Sequence, residues 1–194
     1  MIIKKFNSFW NEYYLLISIF CSSLCVINFY FEIVSMLPIL YILNTYLFLD
    51  TINCIINKKD FQYIVHHLAG MSMTFYSIYR NFYTSKYSSI FINMENSTPI
   101  LNLILYLKKY NNKYIKYLSK LLFIVFYCIF MYFRIIKYYY IFLSQDFIQY
   151  YYNLYLNDKT KSILFLNIPI LTIKVLNLIW AYKLTARFFK YKKT

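Results

Sequence analysis

From Tyr13 to Phe31 the chain runs nineteen residues without a charge, and runs of this kind recur to its end. A helix needs roughly 20 apolar residues to cross the hydrocarbon core of a bilayer, whereas a membrane barrel needs short segments of alternating polarity. The runs here are long and continuous. Six spans are predicted, at about 13–31, 34–57, 61–79, 88–107, 121–143 and 163–182. The expected fold is an all-α polytopic membrane helical bundle. It forms one domain over residues 1–194, with its core at about 9–190. No internal repeat, heptad pattern or soluble domain is visible. "KK" ahead of the first run resembles a signal peptide, but no small-residue cleavage site follows, so a first spanning helix is expected.

Composition supports the membrane class. The chain is 61% hydrophobic and only 14% charged, against roughly 25% charged in soluble domains. Its net charge of +14 does not point to nucleic acid, because the basic residues punctuate apolar runs and form no solvated face. In a membrane protein such charge sets topology. With six spans, 14 of the 21 Lys and Arg residues fall on one side, in the N-terminal segment, loops 58–59 and 108–120, and the C-terminal tail. Arg80, Lys86, Lys159 and Lys161 fall on the other. This asymmetry predicts both termini in the cytosol. Many of the 25 tyrosines lie near span ends, as an interfacial aromatic belt would. Cys21, Cys25, Cys54 and Cys128 all lie in apolar runs without CxxC spacing and are expected to be reduced.

Ionisable groups inside spans face the bundle interior and mark pairing or function. Tyr46, Asp50, Asn53 and Asn57 share one helix face at spacings of 4, 3 and 4. Glu95, Thr98 and Asn102 make a second stripe, and Asn167, Lys174 and Asn177 a third. The helical rise puts Asp50, His66 and His67 in the cytosolic half, and Glu95 and Arg134, as a charge pair, in the lumenal half. Pro38, Pro99 and Pro169 can free backbone carbonyls in three spans. The only two histidines are adjacent and so point about 100° apart on a helix. They do not suit one metal ion together, and no metal is expected. One of them is expected to face Asp50, as a general base or as a structural hydrogen bond. The polar groups fit either a cavity for a lipid or simple helix–helix adhesion.

"YLFLDTINCIINKKDFQYIVHHLAG", at 46–70, resembles the core of the TLC-domain family, in which an Asp-bearing span, a basic-Asp turn and a paired-His span recur in this order. "MENSTPILNLILYLKK", "FYCIFMYFRI" and "VLNLIWAYKLTARFFK", with "FWN" at Phe9–Asn11, resemble the branch of that family that is not ceramide synthase. The resemblance maps Asp50, His66, His67, Glu95 and Arg134 onto the family's polar core. Two departures stand out. After Arg80 the chain lacks the His-Asp step and further acids of the synthases, and Ile19–Cys21 stand where the other branch tends to carry a His.

The resemblance implies a multi-pass protein of the endoplasmic reticulum or a related endomembrane that binds, senses or moves lipids and influences lipid homeostasis. Its partners would be membrane lipids, sphingolipid or phospholipid, with no nucleic acid and with a homo-oligomer left open. The expected lipid-binding polar core is Asp50, Asn53, His66, His67, Glu95, Asn102, Arg134, Lys174 and Asn177. No cofactor is expected. The first alternative is a ceramide-synthase-like N-acyltransferase using acyl-CoA, with Asp50, His66 and His67 as catalytic candidates. The second is a small transporter or channel, against which stand the lack of repeat symmetry and the single Gly.

Overall fold

The computed structural model describes residues 16–28, 31, 35–81 and 95–191. The described residues are 89% helical and contain no strand. Among the described residues seven helices follow in order: α1 (Leu16–Asn28), α2 (Met36–Ile56), α3 (Phe61–Tyr79), α4 (Thr98–Leu107), α5 (Lys113–Phe142), α6 (Gln145–Asn157) and α7 (Lys159–Phe189). By length and composition α2, α5 and α7 can each cross a membrane, and α1 and α4 are shorter apolar helices. This is an integral membrane helical protein. The third predicted span, 61–79, coincides with α3. The fourth is seen only from Thr98 onward, since 82–94 lie outside the described residues.

Local sequence sets the helix ends. Asp60 caps α3, its side chain accepting from the Gln62 N–H at 3.1 Å, and Asn112 caps α5 by accepting from the Tyr114 N–H at 2.8 Å. Each cap satisfies a backbone donor left open by the first helical turn. Pro99 sits in the first turn of α4, where its missing N–H costs nothing. Two π-helical turns interrupt the long helices. Ile163–Asn167 ends two residues before Pro169, which cannot donate an i→i−4 bond. Met131–Lys137 contains Arg134 and turns that residue inward.

Packing closes six of the helices into a ring. α1 meets α2 through Cys25, Ile39, Leu43, Tyr46 and Leu47. α2 packs on α3, α3 on α7, α7 on α5, and α5 on α4. Asn102 of α4 then donates to Ser18 Oγ of α1, which also shares a hydrogen bond of 2.7 Å with Tyr46. The α2–α3 contact is close because Gly70 has no side chain: a Cβ there would stand 3.1 Å from Leu47 Cδ1. Small residues permit such approaches between membrane helices, where packing and not the hydrophobic effect drives association.

α6 was not among the predicted spans. Ser144 caps it by accepting from the Phe147 N–H, and Phe147 docks against Tyr138 and Phe142 of α5. Ile148, Tyr152 and Leu156 remain exposed at i, i+4 spacing. A helix with a docked face and an apolar outer stripe suits the membrane interface.

Candidate functional site

The ring encloses a cavity of about 830 Å³. Two polar clusters reach it. On one wall, Asp50 of α2 is 3% exposed and His67 of α3 6% exposed, with His67 Nε2 at 3.2 Å from Asp50 Oδ2. The other carboxylate oxygen, Oδ1, accepts from Asn53 Nδ2 at 3.3 Å and lies 3.9 Å from both the Lys59 ammonium and Cys54 Sγ. Asn57 in turn donates to Asn53 Oδ1 at 2.6 Å. The stripe at spacings of 3 and 4 is therefore a hydrogen-bonded chain running along α2 into the cavity. It leaves the histidine ring the task of donating to Asp50 through Nε2–H.

His67 Nδ1 and His66 Nδ1 are both buried and have no hydrogen-bond partner. An unmet buried acceptor costs on the order of 1–3 kcal/mol. His66 does not face Asp50; its ring packs edge-on against Trp180 of α7 at 5.0 Å. The adjacent imidazoles thus serve different neighbours, as their 100° separation requires.

The second cluster is centred on Arg134, 5% exposed. Its Nε donates to Ser97 Oγ and its Nη2 to Thr98 Oγ1, both at 3.1 Å, and Thr98 donates to Glu95 Oε2 at 2.7 Å. Asn177 donates to the Arg134 carbonyl at 3.5 Å, inside the π-helical turn. The guanidinium also lies over Phe130 at 5.4 Å and Trp180 at 6.0 Å. Trp180 therefore stands between the two clusters, touching His66 on one side and Arg134 on the other. Apolar side chains such as Leu101, Leu105, Phe126 and Leu184 supply the rest of the wall. Lys59, Lys108, Lys183 and Arg187 line one end. The last three are exposed, so the cavity reaches the surface there.

Asp50, Asn53, His66, His67, Glu95, Asn102 and Arg134 all line this one space. Lys174 does not: its ammonium lies over the Tyr139 ring at 4.8 Å, away from the cavity. Asn177, fully buried, supports Arg134 from behind and does not line the cavity either. Three contributors were not singled out from the sequence. Lys59 is the counter-ion of Asp50, Trp180 bridges the clusters, and Cys54 sits one turn beyond Asp50. The i, i+4 spacing of Asp50 and Cys54 was the available signal.

Ligating atoms of Asp50, Cys54 and His67 lie within 4.8 Å of one another. In kind they match a three-ligand zinc site with an open fourth position. The Lys59 ammonium already supplies a positive charge beside the carboxylate, so the carboxylate is compensated without an ion.

A family model for the TLC domain matches residues 5–186. Neither a curated protein nor a solved structure matches the chain.

Proposed function

Because the chain belongs to the TLC-domain family, we propose that it binds a single lipid within the helical ring and so senses or moves lipid in an endomembrane, the endoplasmic reticulum or a related one. The observation that carries this reading is the cavity itself. About 830 Å³ lies within the size range of small-molecule sites, roughly 300–1,000 Å³. Its walls are mostly apolar, with two compact polar clusters and two buried imidazole nitrogens without a hydrogen-bond partner. A lipid has matching parts. An acyl chain fits among Leu101, Leu105 and Phe126, and a hydroxyl or amide group pairs with the imidazole nitrogens. The positive-inside asymmetry supports a cytosolic position for the basic end of the cavity.

The test is native mass spectrometry with lipidomics on the gently purified protein, comparing wild type with Asp50→Asn and His67→Ala. The reading expects one lipid class at about one per chain, lost in both variants. The same annular lipids in all three folded proteins would refute it.

A second reading is favoured by one specific contact. The Asp50–His67 pair at 3.2 Å is a geometry in which a carboxylate orients a general base. With acyl-CoA as donor, a sphingoid amine would attack the thioester carbonyl, His67 would take the amine proton, and the C–S bond would break to release coenzyme A, which receives that proton as its thiol. Absence of N-acylation by the purified wild-type protein, beside a working synthase control, removes this reading.

A further inference from the structure

A second, smaller cavity of about 390 Å³ lies beside the first and shares Ile104, Lys108, Phe123 and Arg187 with it. It sits where the end of α4, the start of α5 and the end of α7 meet. Its cations are Lys108, Lys116, Lys120 and Arg187, and none of the described residues lining it is acidic. The sequence explains this imbalance. No Asp or Glu occurs between residues 96 and 145, or from 159 to the C-terminus. The three stretches that build the cavity therefore carry no carboxylate of their own.

Two further observations point to a ligand. Ser119 lines the cavity, is 9% exposed, and its buried hydroxyl has no hydrogen-bond partner. A buried hydroxyl among cations on an apolar helix face is a donor without an acceptor. Tyr110, also in the lining, donates its hydroxyl to Tyr106 at 2.9 Å, and that hydrogen bond holds its phenol above the ordinary tyrosine range. It adds no negative charge. The location matters as well, since basic pockets between membrane helices on the cytoplasmic side take anionic headgroups.

We infer that this second cavity is a vestibule that binds a phosphate monoester, with Lys108, Lys116, Lys120 and Arg187 supplying charge and Ser119 a hydrogen bond. A phosphate monoester carries about −1.5 to −2 charge and three acceptor oxygens near neutral pH. This suits four cations better than the single charge of a diester does. Arginine offers a planar fork to phosphate and lysine a point charge. On the reading that the larger cavity holds lipid, the vestibule selects phosphorylated headgroups at the entrance to it.

The test uses the full chain in neutral detergent micelles and measures equilibrium binding of short-chain phosphatidate, the matching phosphatidylcholine and inorganic phosphate at constant ionic strength. Wild type should prefer phosphatidate to phosphatidylcholine about tenfold or more. Lys116→Gln/Lys120→Gln should weaken phosphatidate binding roughly ten- to thirtyfold. Lys137→Gln, whose ammonium lies over Phe133 outside both cavities, should not. Ser119→Ala should weaken it several-fold with no change in net charge. Full competition by inorganic phosphate would support the phosphate site and assign its source to a soluble anion. Equal binding of the two lipids, or equal loss in Lys137→Gln, would overturn the inference. The co-purified lipid of the larger cavity is measured in the same samples. Its retention without phosphate preference would sink the vestibule alone, and its absence with phosphate preference intact would sink the lipid-cavity reading alone.

Discussion

Arg134→Met should destabilise the bundle more than Arg134→Met combined with Glu95→Gln. Methionine keeps the flexible apolar stem of the arginine, so little packing is lost. The cost is electrostatic. Arg134 is 5% exposed and Glu95 8%, and Thr98 bridges them at 3.1 and 2.7 Å. Removing one member of a buried charged pair costs about 3–5 kcal/mol, mostly through the charge left behind. Neutralising that charge as well should recover about 2–3 kcal/mol, the upper range for coupled neighbours. The glutamine carbonyl can still accept from Thr98. SDS titration in mixed micelles measures the four unfolding free energies of the cycle. Fluorescence of Trp180, whose ring lies 6.0 Å from the guanidinium, reports on the site itself. If the double variant costs the sum of the two single ones, the charges are not coupled and the description of this cluster is wrong.

Two structural predictions follow from close contacts elsewhere. Gly70→Ala should be nearly neutral, because the 3.1 Å neighbour is the end of the Leu47 side chain and alanine favours the helix by about 1 kcal/mol. Gly70→Leu should cost about 1–3 kcal/mol by overpacking, and the same SDS titration separates the two. Tyr76→Phe removes a buried 2.8 Å hydrogen bond to Ser162 that ties α3 to the start of α7. It should cost about 0.5–1.5 kcal/mol, read as faster hydrogen exchange in the first turns of α7.

The sequence made much of this legible because the bilayer tolerates few ionisable groups. Asp50, Asn53 and Asn57 were placed on one face by helical spacing alone, and they form one hydrogen-bonded chain. The adjacency of His66 and His67 forced them apart, but only the packing of α3 between α2 and α7 decides that His67 takes Asp50 and His66 takes Trp180. Helical rise gives depth and says nothing of rotation. The Asp50 and Arg134 clusters, assigned to opposite halves by depth, both reach the same cavity through Trp180. Lys174 shows the converse case. Its spacing from Asn177 matched a polar stripe, yet an aromatic ring of α5 lies within reach on its own face and takes the ammonium by a cation–π contact. α6 was missed because its apolar stripe is short and lies among tyrosines, which the interfacial belt already explained.

On the proposed function, the ring interior, and not the outer surface of the bundle, holds the lipid. The most direct measurement is lipid stoichiometry in Leu101→Trp, which adds bulk to the cavity wall while leaving both polar clusters intact. A folded Leu101→Trp protein, shown by an unchanged SDS unfolding midpoint, should lose the one lipid per chain that wild type retains. If that protein keeps the same lipid at the same stoichiometry, the lipid lies elsewhere and the cavity is not its site.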